Sequence, residues 1–285
     1  MSARRATQAE KGHAFRALHA RAGAFIIPNP WDVGSARILA NAGFESLATT
    51  SAGFAFSLGR RDNTIARYAM LDHVAALAAA TGLPVSADLE NGYADTPEGV
   101  GETYALAATT GIVGASIEDS TGDSARPLFD IAVAAERVRA AVEAVRALPF
   151  PFTLTARAEN FLVGRSDLAD VIRRLQAYQE AGADVLYAPG LVERDDIAAV
   201  VKAVDRPVNV VMGLAGARFS LRELEALGVK RVSVGSALAR ASFGALIDAA
   251  KEMREHGTFA FADHAVAYRE LGAMFDASPT DRLHR

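Results

Sequence analysis

Asp88 and Glu90 stand two residues apart in the run Val85-Ser86-Ala87-Asp88-Leu89-Glu90, and the same spacing joins Ser116 to Glu118 and Thr155 to Arg157 and Glu159. Between them lie apolar residues: Val85, Ala87 and Leu89, then Ala115 and Ile117, then Leu154, Ala156 and Ala158. Side chains of a strand alternate between its two faces, so an extended chain sends Asp88, Glu90, Glu118 and Arg157 to one side and the apolar set to the other. Carboxylates gathered at one rim repel each other unless something positive neutralises them. Mg²⁺ suits that task, because it takes hard oxygen ligands and keeps several waters; Mn²⁺ is the alternative ion. The competing arrangement is an ion-pair network in which Arg157 pairs with Glu118 or Asp88. The chain has no cysteine and no histidine at these positions, which argues against zinc or copper.

The elements that must position these residues recur along the chain. Short apolar or β-branched runs at 24–29, 46–52, 84–90, 114–119, 152–159, 184–188, 207–212 and 231–235 alternate with Ala/Leu-rich helical stretches. Thr96-Pro97 and Ser166-Asp167 read as helix starts, and Gly43, Gly82, Gly111 and Gly182 follow helix ends. Eight such units without a linker predict one closed (β/α)₈ barrel spanning residues 1–285, and the absence of a Gly-rich phosphate fingerprint disfavours an open doubly wound sheet. In such a barrel the chemistry belongs at the carboxyl ends of the strands. Residues 237–285 extend beyond the eighth strand; SALARASFGALIDAAKEMREH supplies the eighth helix and FADHAVAYRELGAMF predicts a further amphipathic helix, packed on its own barrel or exchanged with a neighbouring subunit.

Composition removes several chemistries. Without cysteine there is no thiol acid or nucleophile. Only four lysines are present (Lys11, Lys202, Lys230 and Lys251), and none falls on an inward strand position near the rim, which excludes imine catalysis. The six histidines also avoid the rim. A net charge of −4 gives no footing for nucleic acid. The polar opening and the lack of a long apolar run predict a cytoplasmic protein with no membrane association.

The ordered motifs NPWDVGSARILANAGF, TTSAGF, GRRDN, ADLENGYAD, ASIED, TARAENF and EAGADVLYAPG resemble the isocitrate lyase/phosphoenolpyruvate mutase superfamily over roughly residues 20 to 250. The resemblance implies that Asp88 and Glu90 bind Mg²⁺, that Glu118 holds a metal water, and that Asp62 supports the metal shell. It further implies that the N–H groups of Ser51, Ala52 and Gly53 wrap a substrate carboxylate clamped by Arg157, so that Asp62, Glu118 and Arg157 form the catalytic set. Arg240 matches an arginine that takes a second carboxylate, and Asn209 stands two residues before the usual substrate-binding asparagine. Homo-oligomers, tetramers before dimers, are implied as well.

Two departures narrow the expected chemistry. Glu90 replaces the usual aspartate, and the stretch after the fourth strand, DSTGDSARPLFD, lacks the Lys, Cys and His of the isocitrate and methylisocitrate lyases. It also lacks the Lys and Asn of the phosphonate-processing members. The expectation is a Mg²⁺-dependent lyase that breaks a C–C bond in a small 2-oxo or 2-hydroxy di- or tricarboxylate, with oxaloacetate decarboxylation favoured over methylisocitrate cleavage. The alternatives are a phosphonopyruvate-type P–C enzyme and a non-catalytic binder of 2-oxo acids.

Overall fold

The computed structural model describes residues 5–276. Helix α1 (Gln8–Ala20) precedes β1 (Phe25–Ile27), α2 (Val33–Asn41), β2 (Leu47–Ala48), α3 (Ser51–Ser57) and α4 (Arg67–Ala80). There follow β3 (Val85–Asp88), α5 (Pro97–Ala108), β4 (Gly114–Glu118), α6 (Ile131–Arg146), β5 (Thr153–Arg157) and α7 (Leu168–Glu180). The chain continues through β6 (Val185–Tyr187), α8 (Arg194–Ala203), β7 (Val208–Val211), α9 (Leu221–Ala226), β8 (Arg231–Ser233) and α10 (Ala237–His256). A 3₁₀ turn (Ala260–His264) and α11 (Tyr268–Asp276) complete it.

All strands run parallel in the order β1-β8-β7-β6-β5-β4-β3-β2, and the Ala48 N–H donates to Pro28 O at 3.0 Å across the remaining seam. This is the expected (β/α)₈ barrel, with each strand inside its expected range. The apolar set behaves as alternation requires: Val85, Ala87, Ala115, Ile117, Leu154 and Ala156 join the main core with the helices. The barrel interior is polar instead, with Ser86, Ser116, Thr153, Thr155, Asn209, Arg231 and Ser233 all buried. Bulky branched side chains usually fill this space.

Helix α1 closes the amino-terminal end. Phe15 and Leu18 pack with Phe25, Ile27 and Val113, and Gln8 Nε2 donates to the carbonyls of Ala108 and Ile112 at 2.8 and 2.7 Å. Contact there is close enough that a Cβ at Gly114 would lie 2.8 Å from the Phe15 ring. His19 is wedged edge-on between Phe15 and Phe25, and its Nδ1–H donates to Phe15 O at 2.9 Å, which leaves Nε2 buried without a partner. Burial, then the Arg231 charge, depresses its pKa to about 3. A histidine held neutral in the fold contributes stability above the unfolded pKa near 6.5 and loses it as pH falls. Between pH 7 and 4.5 this costs roughly 2–3 kcal/mol. The wild type should therefore lose that much more stability than His19→Phe in urea titrations at the two pH values; equal losses would contradict the assignment.

The carboxyl-terminal segment differs from its expected form. FADHAVAYRELGAMF is not one helix: Gly257, at φ 63°, stops α10, and Glu252 accepts from Thr258 Oγ1, Ala260 N and Phe261 N, folding the chain into the 3₁₀ turn. Only α11 is helical after it, and it packs against α2 of the same chain, where Asn41 Nδ2 donates to Met274 O. Residues 277–285 of the expected extension lie outside the described residues. Helix α10 buries only Ala239 and exposes Leu246, Ile247 and Met253. Among the described residues no helix is long and apolar enough to cross a membrane.

Candidate active site

With α1 across one end, the barrel opens at the carboxyl ends of its strands into a cavity of about 170 Å³. Ser51, Ala52, Asp62, Asp88, Ser116, Arg157 and Tyr187 line its upper part, and Ser86, Arg231 and Ser233 reach it from below. Arg157 is its electrostatic centre. Its Nη1 contacts Asp88 Oδ1 at 2.9 Å, its Nη2 contacts Glu118 Oε2 at 3.0 Å, and its Nε contacts Glu159 Oε1 at 2.8 Å. The guanidinium also lies 5.4 Å from the Tyr187 ring centroid. The ion-pair network posed as the competing reading of the sequence is thus present in the structure.

One guanidinium cannot offset three carboxylates, two of them buried. Desolvation, ahead of the neighbouring charges, pushes both Glu118 and Glu159 above the usual carboxylate range. Desolvation also opposes the Arg157 charge, but Glu159, Glu118 and Asp88 together hold that group well above its ordinary value. Asp88 is fixed from a second direction: its Oδ2 accepts from Ser51 N at 3.1 Å and Ser51 Oγ at 3.0 Å.

Glu90 corrects a detail of the strand argument. β3 ends at Asp88, so alternation does not reach Glu90; it occupies a left-handed turn at φ 49°, followed by Gly92 at 84° and Tyr93 at 53°. It is buried and does not line the cavity. Burial first, then the Asp88 charge, pushes its carboxyl up to about 7, with Asp62 adding to the repulsion. Its Oε1 has no hydrogen-bond partner among the described residues. Asp62 reaches the cavity from the exposed loop before α4, and desolvation and the Asp88 charge raise its pKa too.

Left-handed non-glycine residues are strained by about 1–2 kcal/mol each, so something must over-determine this turn. The buried Arg137 of α6 does so, donating from Nη1 to Asp95 O at 2.9 Å and from Nη2 to Asn91 O and Ala94 O at 2.6 and 2.8 Å, with Phe129 beneath it. Sequence reasoning missed it, because a lone arginine in an amphipathic helix carries no local sign of a distant carbonyl cage. Arg137→Met should cost roughly 3 kcal/mol in urea unfolding, since charge-assisted bonds are removed and buried carbonyls left unpaired. A loss below about 0.5 kcal/mol, the range of ordinary surface substitutions, would show that the turn holds itself.

The remaining sequence-derived residues divide. Ser51 and Ala52 line the cavity, whereas the Ser51 N–H is spent on Asp88 and the Gly53 N–H on Thr50 Oγ1, so of the three only the Ala52 N–H enters neither bond. Gly53 is packed so that a Cβ would lie 3.0 Å from Trp31 Cβ. Arg240 is exposed, donates to Gly213 O at 2.8 Å and does not line the cavity. Asn209 is buried, accepting from Arg231 Nε at 2.9 Å and donating to Ser233 Oγ at 3.0 Å. Arg231 was missed although its signal was present: in Arg231-Val232-Ser233-Val234 the same alternation turns Arg231 and Ser233 inward.

Among the described residues no three His, Asp or Glu side chains form a ready cation cage. Arg157 holds Asp88, Glu118 and Glu159 apart as separate partners.

A parallel eight-stranded barrel with a charged polar cavity at its carboxyl-terminal mouth defines the class as a TIM-barrel enzyme. The phosphoenolpyruvate phosphomutase family model matches residues 15–254. An oxaloacetate decarboxylase of Pseudomonas aeruginosa (strain LESB58) is 30% identical over 258 residues, 88% of each chain. The crystal structure of a provisionally assigned lyase/mutase from Burkholderia cenocepacia J2315 superposes with a TM-score of 0.94 at 64% identity, covering 95% of this chain and 98% of that one. Oxaloacetate acetylhydrolase in complex with its product oxalate gives 0.83 at 26% identity, over 93% and 94%. The chain belongs to the phosphoenolpyruvate phosphomutase family, within the isocitrate lyase superfamily, and is an enzyme of the carbon–carbon lyase type.

Proposed function

We propose that the enzyme is a Mg²⁺-dependent lyase acting on a small 2-oxo or 2-hydroxy dicarboxylate, oxaloacetate foremost. The observation that carries this reading is the buried Glu90 carboxyl, whose Oε1 has no partner among the described residues and which faces the charges of Asp88 and Asp62, two carboxylates that line the polar cavity. The donor set is all oxygen, and Mg²⁺ is commonly held by one or two carboxylates with waters completing its shell, so the residues fit without a three-carboxylate cage. Asp88 and Glu90 would hold the ion, Glu118 would act through a water, and Asp62 would support the shell. When bound, the ion supplies Lewis-acid stabilisation of the negative charge that develops on the 2-oxo oxygen.

The chain's own residues do the rest. A guanidinium has five N–H groups, and Arg157 uses one at each nitrogen in its three contacts, which leaves one on Nη1 and one on Nη2 for a substrate carboxylate. The Ala52 N–H adds a neutral donor to the cavity lining. Leu162 and Tyr187 add apolar surface to the lining. NMR of the purified protein with Mg²⁺ against oxaloacetate, methylisocitrate, 2,3-dimethylmalate and phosphonopyruvate tests the reading; turnover of none of them sinks it.

The exposed apolar face of α10 supports a homotetramer, with a dimer as the simpler assembly. Leu246, Ile247 and Met253 lie on one solvent-facing helix, and Phe259, Val266 and Tyr268 beyond it are exposed as well. Large apolar side chains clustered on one exposed segment are what an interface would cover. Sedimentation velocity at micromolar concentration should give a tetramer or dimer, and Leu246→Glu with Ile247→Glu should shift it toward monomer. A stable wild-type monomer would refute the assembly.

A further inference from the structure

We infer that the floor of the cavity is a second anion subsite, built on Arg231, which receives the far carboxylate of a dicarboxylate whose 2-oxo carboxylate end is held at the Asp88–Arg157 level. This rests on the proposed reading of the cavity as a 2-oxo acid site and adds what selects a diacid over a monoacid.

Arg231 is buried in the barrel interior and lines the lower part of the cavity together with Ser86 and Ser233. Its hydrogen bonds go only to neutral acceptors: Nε to Asn209 Oδ1 at 2.9 Å and Nη2 to Thr155 Oγ1 at 3.0 Å. Nη1 has no partner, and no carboxylate lies within ion-pair distance among the described residues. The group beneath it, His19, is itself held neutral by burial and by the Arg231 charge. Desolvation lowers the Arg231 pKa to about 10, so the cation persists at neutral pH.

A buried charge without a counter-ion is expensive and is normally paired. Among the described residues the other two buried arginines are satisfied differently: Arg174 contacts the Asp119 and Asp170 carboxylates, and Arg137, which also lacks an ion pair, spends both Nη groups on three backbone carbonyls. Arg231 has two neutral partners, one amide and one hydroxyl oxygen, a buried Nη1 with none, and a place in the cavity lining. The spacing suits a short diacid. Thr155, which takes the Arg231 Nη2 bond, is two residues below Arg157 on β5, roughly 6.6 Å along the strand. The serines at positions 86, 116 and 233 keep the space between the two levels open and supply hydroxyls. The arrangement also reassigns Asn209 as a positioning residue, since both ends of its amide hold Arg231 and Ser233. Arg240, matched by resemblance to a second-carboxylate arginine, lies outside this space.

The probes are pyruvate and 3,3-difluorooxaloacetate, which share the 2-oxo carboxylate and differ in the second carboxylate and in two fluorines whose effect Arg231→Met leaves in place, titrated calorimetrically into the Mg²⁺-loaded full-length protein. The wild type should bind the diacid at least 10-fold more tightly. Arg231→Met should remove that advantage while leaving pyruvate affinity within 2-fold, and Arg231→Lys should restore part of it. Equal affinity of the wild type for the two probes overturns the inference whether or not the variants fold. Equal loss for both probes in a folded Arg231→Met, or no loss for either, overturns it too. If the wild type binds pyruvate but shows no preference, only the subsite falls; if it binds neither probe, the reading of the cavity falls and takes the subsite with it.

Discussion

Asp88→Ala should abolish Mg²⁺-dependent binding of oxalate, weakening it by at least ~100-fold, while the barrel stays folded. Removal of groups that merely orient metal ligands typically costs 10–100-fold, so loss of a direct ligand belongs at or beyond the upper end. The fold should survive because Asp88 is one of three carboxylates on Arg157, and Glu118 and Glu159 still neutralise that guanidinium when it is gone. The bonds lost are those from Ser51 at the start of α3, from Arg157 and, at 3.5 Å, from Ser116 Oγ. Calorimetric titration of oxalate with and without Mg²⁺, with circular dichroism to monitor folding, decides the point. Unchanged oxalate affinity in a folded variant would remove Asp88 from the metal site.

The second large effect is one of substrate preference. Cleavage of isocitrate or methylisocitrate releases succinate with carbanion character at the carbon that leaves, and a general acid must protonate it. In the superfamily members that carry out this reaction, the acid resides in the loop after the fourth strand. In this chain that loop is folded back on itself: Ser120 bridges Leu128, and Asp123 caps its own turn through Ala125 N. Asp119 at its base is spent on Arg174, Tyr178 and Glu159 N. The stretch 119–130 holds no thiol, imidazole or amine. Loss of CO₂ from oxaloacetate needs no acid on the departing fragment, because the electron pair is left on the enolate carbon and is protonated afterwards. General acid–base assistance is worth ~10²–10⁴-fold, so kcat/KM for oxaloacetate should exceed that for either isocitrate by at least ~100-fold. Steady-state assays in excess Mg²⁺ give the ratio. If methylisocitrate proves the best substrate, another group in the short loop, Asp123 or Ser124, must supply the proton, and the mechanism is wrong.

What could be read from the sequence follows the reach of each physical rule. Strand alternation is local and exact in period, so it sorted Ser86 and Asp88 from Val85 and Ala87, and Arg157 from Ala156, without any knowledge of the fold. It failed at Glu90, where the chain leaves β3 for a left-handed turn that no periodicity announces. Rules of spacing also say nothing about which partner a charge chooses. Arg157 and its three carboxylates share a rim in the sequence pattern, but that the guanidinium would occupy all of them at once depends on side-chain rotamers in three dimensions. Arg137 and Asn209 show the same limit from the other side. Each acts on a residue distant in the chain, Arg137 on a loop 42–46 residues earlier and Asn209 on Arg231 22 residues later, and nothing near them in sequence marks the contact. The carboxyl-terminal segment misled because its apolar spacing fits a helix from Phe261 onward, whereas Glu252 captures the backbone there and delays the helix until Tyr268.

The central claim is that the cavity couples Mg²⁺ to chemistry on a small 2-oxo dicarboxylate. Its most direct test is pyruvate formation from oxaloacetate, followed by NMR with enzyme plus Mg²⁺, Mg²⁺ alone, and enzyme plus EDTA. The account predicts a rate proportional to enzyme above that of Mg²⁺ alone, abolished by EDTA and restored by adding Mg²⁺ back. A rate equal to that of Mg²⁺ alone, or one that EDTA leaves unchanged, would contradict it.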